Sequence, residues 1–290
     1  MTRESPGNRS LGRYLAFVKF EHTLFALPFA YGGMLLAAGG WPGWRVFVLV
    51  SLAMIGARSA AMALNRVIDA RIDAQNPRTS GREIPAGRLT RRDGLALAAL
   101  GLGLLAVAGA LLNPLTLALL PLAVVFLTVY PYLKRFTWLC HFWLGATIGA
   151  AAAGGWIAVT GAFSFTAVAL WLAVGTWIAG FDIIYGVLDL SFDRSAGLHS
   201  IPARFGVRRA LAVSAGAHLV SFAALAAVLL WVHLGWPYGV ALVATAAVLL
   251  YEQVAVRRLD PAVVLRSFNA NLVVGLLMLL GIVGGLALHG

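Results

Sequence analysis

Asn65, Asp69 and Asp73 recur at four-residue intervals in the run Asn65-Arg66-Val67-Ile68-Asp69-Ala70-Arg71-Ile72-Asp73. Asp189 and Asp193 repeat the interval in Asp189-Leu190-Ser191-Phe192-Asp193. On an α-helix a step of four residues drifts by only about 40°, so each set forms one polar stripe. Asp182 lies two turns before Asp189 on nearly the same face. Oxygen-bearing side chains aimed at one space repel unless cations neutralise them. Hard oxygen donors suit Mg²⁺ better than zinc, and Mg²⁺ takes a few carboxylates together with substrate phosphates. The two stripes therefore point to a diphosphate. His22, His141 and His199 have no ligand spacing and read as packed or interfacial residues. The single cysteine, Cys140, excludes a disulfide framework and a multi-cysteine metal site.

Basic residues accompany the acids. Arg58 lies two turns before Asn65, on the same face and inside an apolar stretch. Arg82, Arg88, Lys134 and Arg135 fall in loops on the same side, and guanidinium groups grip phosphates through two bonds. A blander account makes the acids solvated helix ends paired with Arg66, Arg71 or Arg194. It serves for one such stripe. Two stripes at one depth, with Asp182 inside an apolar segment, favour a site, because ionisable residues within a membrane are functional by default. Arg91, Arg92, Arg208, Arg209, Arg257 and Arg258 are explained by topology alone.

The elements that position these residues follow from composition. Of 290 residues 61% are hydrophobic and 11% charged, and the mean hydropathy is +0.87. Soluble domains carry about 25% charged residues. Spans of about 20 apolar residues are expected at roughly 14–38, 45–66, 94–112, 115–132, 138–160, 166–188, 208–233, 237–256 and 266–288. Ala and Leu dominate them and no alternation persists, which excludes a β-barrel. The expectation is an all-α polytopic membrane protein, with nine transmembrane helices in one bundle around a central cavity and a single domain over 1–290. Nearly every Lys and Arg falls in alternate connections, near 66–93, 133–136, 189–209 and 257–266, or in the N-terminal tail. By the positive-inside rule these face the cytoplasm. Residues 1–13 are then a cytoplasmic tail without signal-peptide character, and the C-terminus lies outside a bacterial-type inner membrane. The net charge of +11 is a topology signal, and no nucleic-acid motif is present.

These residues resemble the UbiA superfamily of intramembrane aromatic prenyltransferases. The first stripe matches its N-x-x-x-D-x-x-x-D motif, and Asp189 with Asp193 its second D-x-x-x-D. Tyr130-Pro131-Tyr132-Leu133-Lys134-Arg135-Phe136-Thr137 looks like the family's Y-P-x-x-K-R-x-T loop, and Thr79 to Gly87, with Arg82 and Pro85, its T-x-x-R-x-x-P-x-G stretch. The resemblance covers nearly the whole chain and is nearest to the 4-hydroxybenzoate polyprenyltransferase branch. Lys19-Phe20-Glu21-His22-Thr23 and Gly197-Leu198-His199-Ser200-Ile201-Pro202 look more like the futalosine-route menaquinone sub-branch, which prenylates a dihydroxynaphthoate. His199 stands where ubiquinone-type enzymes have Lys.

The resemblance implies Mg²⁺-dependent transfer from a polyprenyl diphosphate to a ring carbon of an aromatic acid, either 4-hydroxybenzoate or 1,4-dihydroxy-6-naphthoate. Asn65, Asp69 and Asp73 would hold one Mg²⁺, and Asp189 and Asp193 another. Arg58, Arg82 and Lys134 would bind diphosphate. Arg135 would hold the acceptor carboxylate, and Asp182 would orient or deprotonate its phenol. Tyr130, Tyr132, Phe181 and Tyr185 would line the path of the allylic cation, with helix packing or an interfacial belt as their ordinary role. Glu21 and Lys19 would reach the cavity mouth. Membrane lipid is the surrounding partner, and no obligate protein partner is implied. A reading from another class is a cation-coupled transporter, which requires acids near mid-membrane in broken, repeat-related helices.

The charge pattern makes one prediction. Reporter fusions at Gly197 and Gly290 should report opposite sides of the membrane, and equal sidedness would end the nine-helix scheme.

Overall fold

The computed structural model describes Phe17 and residues 26–258 and 260–289, without the side chains of Phe268 and His289. Lys19, Glu21, His22, residues 14–16 and 18–25 of the first expected span, and the polar tail lie outside the described residues. The elements are α1 (Leu27–Ala38), α2 (Trp44–Ile68), α3 (Ala70–Gln75), α4 (Arg91–Leu112), α5 (Pro114–Leu133), α6 (Cys140–Thr160), α7 (Phe165–Gly186), α8 (Leu190–Ser195), α9 (Ile201–Phe205), α10 (Val207–Val232), α11 (Gly235–Ala255) and α12 (Pro261–His289). Among the described residues eight helices are long and apolar enough to cross a membrane, and α1 is a shorter apolar helix. The chain is an integral membrane protein built from helices alone in its described part.

Local chemistry sets the ends. Thr90 caps α4 in a reciprocal pair with Asp93, Asn113 caps α5 with Thr116, and Ser164 caps α7. These polar caps satisfy backbone N–H groups that a helix end leaves unpaired. The second to ninth expected spans are recovered to within a few residues. The largest shift is α12, which begins at Pro261 rather than near 266. Asp260-Pro261 reads as a turn in sequence. Here Pro261 occupies the first helical position, where a missing N–H is no loss, and Asp260 accepts from Ala262 N at 2.8 Å.

Helix α7 is the core of the bundle. It packs against α1, α6, α10 and α12, and 72% of its spanning window is buried, against 11–39% for the other spans. Between helices in lipid the hydrophobic effect is weak, so close backbone packing has to hold them together. A Cβ on Gly145 of α6 would meet Gly175 O of α7 at 2.0 Å. Likewise, one on Gly56 of α2 would meet Gly101 O of α4 at 2.6 Å. Only glycine permits these approaches.

A buried polar clasp ties the C-terminal helices to α7. Trp177 Nε1–H donates to Asn271 Oδ1 at 2.7 Å, and Asn271 Nδ2 donates to Glu252 Oε1. Ser214 donates to Gly180 O at 2.8 Å. Asn271 and Glu252 are fully buried. Replacing Asn271 with Leu orphans two buried polar partners, each worth about 1–3 kcal/mol. Asn271→Leu should therefore melt well below wild type in detergent, while Leu276→Ala on the exposed face of α12 should melt with it. Equal melting of Asn271→Leu and wild type would show that the clasp does not hold the bundle.

Candidate active site

Both acidic motifs sit where a long helix breaks at the same end of the bundle. Asp69 follows α2 with φ −87° and ψ 1° and opens the six-residue α3. Asp189 closes a 3₁₀ turn after α7, with φ −99° and ψ 4°, and opens the six-residue α8. The i→i−4 bonds continue through the first break, from Asp69 N to Asn65 O at 2.9 Å and from Asp73 N to Asp69 O at 2.8 Å. The Asn65–Asp69–Asp73 stripe therefore survives the bend.

Each carboxylate meets a cation or a hydroxyl. Asp69, 1% exposed, accepts Lys134 Nζ at 2.7 Å and Arg135 Nη2 at 3.1 Å. Asp73, 3% exposed, takes Arg82 Nη1 across both oxygens at 2.7 and 2.8 Å. Asp189 is gripped by Arg78 through Nε at 2.8 Å and through Nη2, and receives Asn76 Nδ2 at 3.1 Å. Burial lowers the Arg78 pKa, but the Asp189 carboxylate more than offsets this and raises it above the ordinary guanidinium value. Asp193 accepts Ser200 Oγ at 2.8 Å. Arg78 also donates to the Tyr185 hydroxyl at 2.8 Å and lies over its ring.

Beneath this charged end runs a cavity of about 480 Å³ between α2, α4, α5, α6 and α7. Its lining on α2 extends from Val50 to Arg66, a rise of about 24 Å. Most of the wall is Ala, Leu, Met and Phe. The polar lining gathers near the motif end as Arg58, Asn65, Arg66, Arg82, Tyr130, Asp182 and Tyr185, and Phe181 lies beside them. Arg58 Nε is buried without a hydrogen-bond partner. Asp182 Oδ2 is bonded to His141 Nδ1 at 2.7 Å. A second cleft of about 770 Å³ shares Arg66, Arg82 and Tyr185 with the first and adds Arg78, Glu83 and the start of α12.

The structure brings most of the sequence-derived residues to one place, with three differences of position. Tyr132 is outside the cavity lining. Its ring is 43% exposed and lies under Arg135, with the guanidinium carbon 5.1 Å from the ring centroid. Tyr130 and Tyr132 are two residues apart on α5, about 200° around the helix, so only one can face inward. Arg135 is engaged with Asp69 and with Ile68 O at 2.8 Å and is outside the cavity lining, which holds Arg58, Arg66 and Arg82. His141 is a partner of Asp182 rather than a mere packing residue. Sequence reading also passed over Arg78, Asn76 and Ser200. Their signal was present, because Asn76 and Arg78 follow the first stripe within one short loop.

The donors fit a hard divalent cation. Asn65, Asp69, Asp73, Asp189 and Asp193 offer oxygen donors, and among the described residues no three His, Cys, Asp or Glu side chains stand together as a metal-binding group. A site with few carboxylates leaves coordination positions for phosphate oxygens, as Mg²⁺ prefers.

Comparison with known proteins agrees with this geometry. Residues 26–286 match the model of the UbiA prenyltransferase family. A 4-hydroxybenzoate octaprenyltransferase from Alkalilimnicola ehrlichii is 34% identical over 266 residues, covering 89% of this chain and 88% of the relative. The apo structure of a UbiA homolog from Aeropyrum pernix K1 is 36% identical with a TM-score of 0.84, covering 91% of this chain and 97% of its own. A UbiA homolog from Archaeoglobus fulgidus bound to DMAPP and Mg²⁺ shares the fold at 20% identity and a TM-score of 0.64, over 95% and 98% of the two chains.

The Arg82–Asp73 pair makes a prediction that needs no turnover. Arg82→Ala leaves a buried carboxylate uncompensated, which costs about 3 kcal/mol. It also removes a competitor for any added cation. In EDTA the variant should melt below wild type, and Mg²⁺ should raise its melting temperature more than that of wild type. An equal Mg²⁺ response in both proteins would remove Asp73 from the cation site.

Proposed function

The chain belongs to the UbiA prenyltransferase family, and on that premise we propose that this membrane prenyltransferase moves a polyprenyl group from an isoprenyl diphosphate to a ring carbon of an aromatic acid, with Mg²⁺ at the two aspartate stripes. The observation that carries the reading is the junction of a charged end with a long apolar cavity. The charged end suits a diphosphate and the cavity suits its tail. The loop charges support a motif end that faces the cytoplasm, with a bacterial-type inner membrane as the proposed location.

Bound Mg²⁺ would supply the positive charge that stabilises a departing diphosphate. The chain's own residues do the rest. Arg78, Arg82 and Lys134, now on Asp189, Asp73 and Asp69, are the cations available to phosphate oxygens once the carboxylates take up metal. Preorganised charge of this kind is usually the largest catalytic contribution. The apolar wall would keep water from the allylic cation, and Tyr130, Phe181 and Tyr185, which line the cavity, are the aromatic residues available to it. Asp182 accepts the hydrogen bond of the aromatic hydroxyl. An acceptor carboxylate inside the cavity needs a cation there. Arg58 lines the cavity and Arg135 is not in its lining, which supports Arg58 in that role, and the Asp69 pairing supports Arg135 as part of the diphosphate end.

Purified protein with Mg²⁺, a polyprenyl diphosphate and either 4-hydroxybenzoate or 1,4-dihydroxy-6-naphthoate should form a prenylated acid detectable by mass spectrometry, without any ion gradient. EDTA should abolish product, as should Asp69→Asn, Asp73→Asn, Asp189→Asn or Asp193→Asn. Full activity in EDTA would remove the metal–diphosphate reading. Loss of a partly buried charged contact costs about 2–5 kcal/mol. Arg58→Ala should therefore raise the acceptor KM at least about 30-fold with little change in KM for the diphosphate, and Arg135→Ala should do the reverse. The opposite pattern would return the acceptor carboxylate to Arg135.

A further inference from the structure

His141 enters none of the roles above, yet it is 5% exposed and bonded at both ring nitrogens. Its Nε2 accepts the backbone N–H of Ile201 at 3.4 Å. That bond fixes the tautomer. An N–H donor requires a bare Nε2, so the ring hydrogen sits on Nδ1. Nδ1–H therefore donates to Asp182 Oδ2 at 2.7 Å, and the other carboxylate oxygen is left for the cavity that Asp182 lines. The Ser200–Ile201 segment at the start of α9 also reaches the second stripe, because Ser200 Oγ donates to Asp193. His199 N donates to Lys134 O at 2.6 Å, which ties this segment to the loop before α6. His141 thus stands between the segment that reaches the second stripe and the Asp182 carboxylate, which lines the cavity.

Resting on the functional reading above, we propose that His141 is a positioning residue that holds Asp182 through Nδ1–H as the proton acceptor for the aromatic hydroxyl. The hydroxyl proton passes to Asp182 as the ring carbon bonds to the prenyl group and the allylic C–O bond to diphosphate breaks. The ring carbon then gives its own hydrogen as a proton to the departing diphosphate, and Asp182 returns the first proton to the ring oxygen. One proton leaves per turnover, and no oxidant or reductant is required.

Three variants separate this role from packing. The Asn amide nitrogen stands at the same remove from the backbone as Nδ1, and the Gln amide nitrogen at that of Nε2. His141→Leu should lower kcat at least about tenfold, a part of the 10²–10⁴-fold that a positioned base contributes, with the diphosphate KM within about twofold of wild type. His141→Asn should recover most of kcat, and His141→Gln should not. A fluorinated acceptor with a more acidic hydroxyl should shrink the ratio of wild-type to His141→Leu rates, since it depends less on the base. Nitrogen NMR of ¹⁵N-histidine-labelled protein, assigned by the loss of a signal in His141→Asn, should show Nδ1 protonated and Nε2 bare. Wild-type kcat in His141→Leu, equal losses in the Asn and Leu variants, or a protonated Nε2 would each overturn the proposal. If wild-type protein forms no product from either acid, the functional reading fails first, and the nitrogen spectrum alone then decides whether His141 donates to Asp182.

Discussion

Carboxylates held almost out of water need counter-charge, and the motif end of this bundle is organised around that need. Asp69 and Asp73 are nearly inaccessible, and an isolated charge in such a place is costly by several kcal/mol. Lys134, Arg135 and Arg82 arrive from the loops after α5 and α3 to supply it, and Arg78 does the same for Asp189 across 111 residues of chain. The loops are therefore closed onto the helix ends by their charges. The same pairing keeps the site poised, because a cation that replaces the guanidinium groups frees them for an anion. On the proposed function, metal and diphosphate would be complementary replacements for contacts the chain makes with itself.

One local device is used at both motifs. Asp69 and Asp189 each sit in a bridge conformation at the end of a long helix, and each is followed by six helical residues. The two long helices are set in place by glycine contacts, α2 against α4 and α7 through its neighbour α6. Backbone packing deep in the bundle thus fixes the distance between stripes that are 120 residues apart in sequence.

Much of this was legible from sequence, for physical reasons that also mark the limit. Apolar length gave the spans, since a helix in lipid has to satisfy its own backbone. The four-residue interval gave the stripes, and Arg58 declared itself by being charged in an apolar run. Tyr132 went astray because adjacent inward-looking residues were credited without turning the helix. Arg78 and His141 were missed for a different reason. Their meaning lies in partners from other helices, and a single sequence does not carry that pairing. Asp260-Pro261 does separate two helices as its composition implies, and the last span starts earlier than expected because Pro is accepted at a first helical position.

The burial of α7 has a consequence for how the protein is made. Its permanent neighbours α10 and α12 lie after it in the chain, so a ribosome delivers α7 to the membrane before Ser214 or Asn271 exists. During that interval the Trp177 indole N–H and the Gly180 carbonyl lack the partners that later satisfy them, and only α1 and α6 among its principal neighbours are already present. The bundle is therefore completed from its C-terminal end, and a nascent chain arrested before α12 carries a core helix still waiting for its clasp.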